Sequence, residues 1–377
     1  MFTKFLCTAR SHDPTMSHHS TYKSHIASIF RKLCILNIFI TFHTTVTVMS
    51  LSHFPIESMK NSDYDRILSG KTWMQNLPST IKNRKLNELA IPASHDSPCF
   101  YLNTTAPFAQ NADQSVIDII TRFSRTEGIA KRITKRWGVT QLMDIESQLS
   151  IGVRYIDLRI MPKIDEVGVP LYTAHSLYAE SLEIILNQVR NFVEENSEEV
   201  IFLDMNHFYG MDEKDHDRLK SLIQSVLGKY VQQSENGIVP ELTLSEIQKM
   251  DARVLIFYHN SGFGPYFQGS QMISHWANGR DPYYITEYAS DWLSEGRPDS
   301  SQFFVSQMVM TEDGKTIAKQ PFKGLRKWES QLLKPLNEWV KLQHAGDRVH
   351  GVNFVLMDFI TEDWVKDIVE VNWRTVV

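Results

Sequence analysis

Cysteine is scarce in this chain: Cys7, Cys34 and Cys99 are all that 377 residues contain. Only Cys99 lies beyond the first fifty residues, so no internal disulfide can staple the folding part, and a disulfide-framed secreted scaffold is excluded. That usage fits a reducing, cytoplasmic compartment. Positive charge is not in excess either. Thirty-nine Lys and Arg against 44 Asp and Glu leave a net charge of −5, which offers nucleic acid no global attraction. There is no internal repeat, no low-complexity tract, and no solidly apolar run of the roughly 20 residues that a membrane-spanning helix needs. The nearest approach is the stretch 33–49, preceded by Lys23, Arg31 and Lys32 and diluted by His43 and several threonines. It begins too far from the first residue for an ordinary cleavable secretory peptide. Residues 1–50 therefore read as a disordered or weakly hydrophobic leader, with membrane anchoring by 33–49 as the alternative and Met49 as a second start. Residues 51–377 read as a single domain.

What is present is ample apolar material, 42% of the chain, in strand-like runs that alternate with helical stripes. The strand expectations are 86–92, 153–160, 171–175, 200–205, 253–258, 303–310 and 352–359. Between them Leu182, Ile185, Val189 and Phe192 fall on one helical face, as do Leu219, Ile223 and Leu227. Trp328, Leu332, Leu336 and Trp339 form a third stripe, in a helix that Pro335 should bend. Alternation of this kind predicts a parallel α/β sheet. The stretch 261–299, rich in Gly, Tyr and Trp, has no clear periodicity.

The ionisable residues cluster at strand ends. The first run closes on Pro92-Ala93-Ser94-His95-Asp96-Ser97, the second on Asp157-Leu158-Arg159, the third on His175, and the last, Asn353 to Met357, on Asp358. A barrel of parallel strands keeps its chemistry at the C-terminal ends. Asp157 and Arg159 are two apart and share a strand face; Arg154, at an odd offset, should face the helices and serve structure. A histidine titrates near neutrality and can take a proton from a hydroxyl. A carboxylate at 358 could hold one imidazole nitrogen of His95 so that the other faces substrate, if the first and last strands are neighbours. Each residue alone has an ordinary structural explanation, a turn histidine or a capping aspartate; the ordered set is what carries chemistry.

These segments, in this order, resemble the X domain of phosphatidylinositol-specific phospholipase C, and in particular the animal proteins that contain an X domain and little else. The likeness runs from about residue 73 to about 373. It implies a distorted TIM-type (β/α) barrel, closed or incompletely so, and a phosphoric diester hydrolase that cleaves phosphatidylinositol-type lipids to diacylglycerol and a cyclic inositol phosphate. It assigns His95 as general base, Asp358 as its partner, and His175 as general acid. Asp157-Leu158-Arg159 matches the metal-independent bacterial form, in which arginine supplies the positive charge that calcium supplies in the animal signalling enzymes. The resemblance therefore implies no cofactor and no metal. Asp96 stands where calcium enzymes have a metal-binding asparagine and is read as assisting acid catalysis or binding Arg159.

Two places fit less well. Asp204 replaces a lysine or glutamate of the family, with a one-residue doubt in register. After the strand at 253–258 comes Phe257-Tyr258-His259, with no arginine to grip an inositol ring. His207, His216, His275 and His350 are read as background. Ile129, Ile133 and Trp137, at four-residue spacing beside six basic residues, predict an amphipathic helix suited to an anionic lipid surface. No Y domain, calcium-binding C2 region or EF-hand pattern is present. Two other functions stay open: a catalytically weak lipid-binding scaffold on the same fold, and a metal-dependent glycerophosphodiesterase or sphingomyelinase D-like enzyme, whose cation Arg159 would repel.

Overall fold

The structure, a computed structural model, describes residues 70–124, 126–234, 239–262, 264–296, 301–346 and 351–374. The expected leader, with Cys7, Cys34 and the stretch 33–49, lies outside the described residues, as do Arg125 and His350. Among the described residues no helix is long and apolar enough to cross a membrane.

Ten strands form one sheet: β1 (Ile91–Ser94), β2 (Tyr155–Pro162), β3 (Leu171–His175), β4 (Leu177–Ser181), β5 (Ile201–Phe208), β6 (Val254–Tyr258), β7 (Phe267–Gln268), β8 (Met272–His275), β9 (Phe303–Met308) and β10 (Phe354–Met357). Eight of them run parallel in the order β7-β6-β5-β2-β1-β10-β9-β8. The two edges, β7 and β8, are joined only by a 3-10 turn, Gly269–Gln271, and do not pair among the described residues. This is the distorted, incompletely closed barrel expected. β6 and β10 are buried at every position, as strands must be when helices cover one face and a packed interior the other.

That interior is aromatic. Phe354 packs against Tyr155, Phe202 and Phe303 with ring centroids 4.9, 5.0 and 5.5 Å apart. Phe257 meets Phe303 edge-on at 5.4 Å. The five rings come from five strands and plug the barrel beneath its C-terminal rim. Arg154 points the other way, fully buried. It pairs with Glu199 at 2.7 Å and donates to the carbonyls of Gly70, Lys71, Leu149 and Val153. It thereby ties the first described segment to the barrel wall.

Several sequence expectations need correction. Residues 86–88 are a 3-10 turn, not strand. Leu86 and Leu89 are both buried, three apart, which is turn spacing; the strand begins only at Ile91. The third strand is where it was expected but runs antiparallel to β2 and forms a hairpin with β4 off the barrel wall. The Trp328 to Trp339 stripe is buried as expected, but on two helices, Leu325–Glu329 and Leu333–Val340, rather than one bent helix. Pro335 sits in the first turn of the second, where its missing N–H breaks no bond. The unclear stretch supplies β7, β8 and the helix Pro282–Glu295. Finally, Ile133 and Trp137 are buried, and only Ile129 of the proposed lipid-facing stripe is exposed. The helix Glu127–Gly138 faces the core with its apolar side, so that stripe is not a membrane surface.

Candidate active site

Parallel pairing of β1 with β10 places Ser94 beside Met357, so the next residues, His95 and Asp358, leave the rim side by side. Gln141, fully buried, holds this arrangement. Its amide donates to the carbonyls of both His95 and Met357, at 3.0 and 3.1 Å, and its oxygen accepts from the Ile360 amide. Asp358 Oδ1 lies 2.7 Å from His95 Nδ1. Arg159 Nη2 lies 2.8 Å from His95 Nε2. A guanidinium can only donate, so His95 Nε2 must be the unprotonated nitrogen and Nδ1 must carry the hydrogen that Asp358 accepts. This is the tautomer of a proton acceptor aimed at the cleft.

Arg159 is held from below. Its Nε stands 2.7 Å from Asp96 Oδ1 and its Nη2 3.9 Å from Asp157 Oδ2. Asp96 takes a left-handed backbone, φ 39°, tolerable for an aspartate. Its amide donates to Asp157 Oδ2 at 2.9 Å. Burial opposes charge at Asp96, but Arg159, His175 and His95 hold its carboxyl below the ordinary value. The same acids raise the Arg159 pKa against its burial.

His175 reaches the site from the hairpin. Thr173 pairs with Ile160 across the antiparallel ladder. Two residues further on, the chain has descended to the level of Leu158 and Arg159. A tight turn at Ser176, φ 60°, ends β3 there. Asn111 fixes the turn through Ala174 O and the Ser176 amide. His175 Nδ1 donates to Gly138 O at 2.9 Å and lies 3.8 Å from Asp96 Oδ2. Its Nε2 is left for the cleft. The acids Asp96 and Asp358 have side chains 1% and 2% exposed, while His95, Arg159 and His175 keep 15%, 20% and 24%. The groups able to exchange protons or meet an anion thus emerge from a buried carboxylate floor. They line a cleft of about 380 Å³. Arg159, His175 and Glu312 also wall an adjoining one of about 270 Å³.

All six residues read from the sequence therefore meet at one rim. The structure also brings in residues that the sequence read only as possible, or not at all. Asp204 lies directly across from Asp157 in the β2–β5 ladder. It accepts from Tyr155 Oη at 2.5 Å and sits 2.7 Å from His259 Nε2. Burial opposes a charged His259, but its hydrogen bond to Asp204 raises its pKa. Asn206 links Asp204 to Asp157, donating at 3.2 and 2.6 Å. Glu329, from the helix Leu325–Glu329, hydrogen-bonds Asp358 from behind and accepts from the Met310 amide at 2.8 Å. Burial first, and the Asp358 charge second, push the Glu329 carboxyl well above the ordinary range; burial does the same to Asp358. Two buried carboxyls so placed disfavour being charged together. No sequence signal marked Glu329, which lies in an apolar helical stripe. Among the described residues no group of three or more His, Cys, Asp and Glu side chains is arranged to hold a metal ion.

Residues 131–260 match the model of the phosphatidylinositol-specific phospholipase C X domain. PI-PLC X domain-containing protein 3 of Mus musculus is 31% identical over 325 residues, covering 84% of this chain and 97% of its own length. The Homo sapiens protein of that name is 32% identical over 311 residues, covering 80% and 93%. Among solved structures, phosphatidylinositol-specific phospholipase C from Listeria monocytogenes superposes with a TM-score of 0.57 at 19% identity, covering 80% of this chain and 98% of that one. The Staphylococcus aureus enzyme gives 0.56 at 17% identity, over 82% and 99%. At that identity the two bacterial structures establish the barrel and nothing finer. With the full-length animal relatives they settle the classification: this chain belongs to the family of PI-PLC X domain-containing proteins.

Proposed function

We propose that this protein is a metal-independent phosphoric diester hydrolase acting on phosphatidylinositol-type lipids. His95 is the general base, oriented by Asp358. His175 is the general acid. Arg159, set by Asp96 and Asp157, binds the phosphate. The observation that carries this reading is the pair of contacts on His95, Asp358 at Nδ1 and Arg159 at Nε2, which together dictate the base tautomer.

In the reaction, the substrate phosphate draws Arg159 from His95 Nε2 through its fork of donors. Nε2 then takes the proton of the inositol 2-hydroxyl as that oxygen attacks phosphorus. The bond from phosphorus to the glycerol oxygen breaks, and the departing oxygen takes a proton from Nε2 of protonated His175. The products are diacylglycerol and a cyclic inositol phosphate. A metal-dependent phosphodiesterase fits poorly, because the Arg159 guanidinium already occupies the space between Asp96 and Asp157.

A second reading has one observation in its favour. After β6 the chain carries His259, engaged with Asp204, rather than a free cation for the sugar ring. A protein that binds such lipids with little turnover would have this feature. Incubation of the pure full-length chain with headgroup-labelled phosphatidylinositol, with and without excess chelator, separates the readings. Release of a cyclic inositol phosphate, equal in both arms and absent in His95→Ala, supports the enzyme. Binding without release supports the scaffold, and strict dependence on added calcium overturns the role given to Arg159.

A further inference from the structure

A cavity larger than the catalytic cleft opens elsewhere on the described residues. It measures about 630 Å³ and lies on the far side of Asp358, where Met357 and Phe359 leave β10. Its wall is mostly apolar, with Leu332, Leu336 and Met308 beside the buried Glu329 and Asp358. Its rim is cationic: Arg136, Lys323, Arg326 and Lys327. Lys319 adds to this cluster through an adjoining depression. Residues 319–327 carry Lys319, Lys323, Arg326 and Lys327 and no acid, and none of these four makes an ion pair among the described residues. Around them stand side chains that a solvated surface would not choose. Phe322 is 68% exposed, Leu333 51% and Leu142 50%.

The surface is built, not incidental. Trp137 donates its indole N–H to Pro321 O and packs against Trp328, and Arg136 donates to Phe322 O. Gly324, at φ 79°, lets the segment close on that helix; a Cβ there would sit 2.6 Å from Arg136 Cγ. The buried residues of the helix Glu127–Gly138 thus anchor the neighbouring segment that carries the exposed ones.

We infer that this face, with Phe322 and Leu333 inserted and Arg136, Lys323 and Lys327 on the headgroups, docks the protein onto an anionic phospholipid bilayer, one acyl chain entering the apolar cavity. An apolar cavity of this size with a few charges at its mouth matches a single-tailed anionic group. Its positive rim is complementary to an anionic leaflet. A free fatty acid or lysolipid would satisfy the cavity and the cations but leave Phe322, Leu142 and Leu333 in water. A bilayer covers all three. The cavity opens at the C-terminal ends of β9 and β10, the end that carries His95. Docking there brings the catalytic rim against the lipid; only this last consequence rests on the function proposed above.

The test uses full-length protein and sedimentation with vesicles of phosphatidylcholine, with or without phosphatidylserine. They contain no phosphatidylinositol, so turnover plays no part. Binding should require phosphatidylserine and weaken with salt. Lys323→Gln with Lys327→Gln should lower affinity at least about tenfold, and Phe322→Ala severalfold, with unchanged melting curves. Lys249→Gln, exposed near the N-terminal end of β6, should change nothing. Ser330→Trp, which fills the cavity mouth without removing charge, should weaken binding as Phe322→Ala does. If Ser330→Trp binds normally, the acyl-chain part is overturned. If the double variant binds normally, or phosphatidylcholine alone suffices, the whole inference is.

Discussion

At the scale of single residues, the arrangement around His95 gives a definite expectation. Groups that move protons typically contribute about 10²–10⁴-fold each, so His95→Ala and His175→Ala should each lose that much turnover while melting like the parent. Either variant within a factor of about two of the parent would refute its role. Arg159→Ala should be similarly impaired, and Arg159→Lys should recover only part, because an ammonium lacks the planar fork that spans His95 and Asp96 together. Glu329 makes a different kind of claim. Its carboxyl and that of Asp358 have raised pKa values in the folded protein, so the fold retains a proton that the unfolded chain releases above about pH 4.5. The stability this contributes is fully present in acid and is lost as pH rises towards the raised values. Asp96 has the opposite sign, its depressed pKa mattering only as pH falls below the ordinary carboxylate range. Between about pH 5 and 8, therefore, Glu329→Gln should show a flatter decline in melting temperature than the parent. Parallel curves would show that no proton is retained there.

At the scale of elements, much of the site was legible because chemistry sits where strands end. Asp358 closes an apolar run, and its partnership with His95 follows from the parallel register once β1 and β10 are neighbours; Asp157 and Arg159 share one face of β2, which continues past them to Pro162. What was hidden depends on contacts between elements distant in sequence. Gln141 looks like any loop glutamine, yet it clamps the two strands that deliver His95 and Asp358. His175 was legible by position but not by direction, since periodicity carries no information on whether a strand runs up or down. The apolar stripe of Glu127–Gly138 reads equally well as a lipid-facing or core-facing helix; a period fixes a face, and packing alone fixes what that face meets. Gly138 offers a test of the hairpin's placement. A Cβ there would lie 3.2 Å from His175 O and 3.0 Å from Leu102 Cδ1. Gly138→Ala should push His175 outward and lower turnover with little change in binding of substrate. Unaltered turnover would show that the turn yields without cost.

At the scale of the whole molecule, the barrel stays open at one seam and is held by its plug. Phe202 of β5 meets Phe303 of β9 and Phe354 of β10, four and three places away in the order of the sheet. Truncation of such a ring leaves a cavity that the surrounding wall cannot close, and Phe303→Ala should cost about 3–5 kcal/mol in denaturant melts. A loss below about 1 kcal/mol would mean that the β7–β8 seam lets the wall collapse inward.

The hairpin of β3 and β4 has a consequence of its own. Beyond Leu171, which joins the main core, it packs on two small apolar clusters, one built around Met161, Ala174 and Tyr178, the other around Leu102 and Leu177. Segments held by so few apolar contacts open more often than the body that carries them. On the assignment above, the two proton-transferring groups therefore belong to units of unequal persistence. One rides on the barrel wall and the other on a hairpin that is expected to open first. Amide exchange should find β3 and β4 releasing deuterium well before β1 and β10. Heat should then silence the protein at a temperature where its circular dichroism has barely changed.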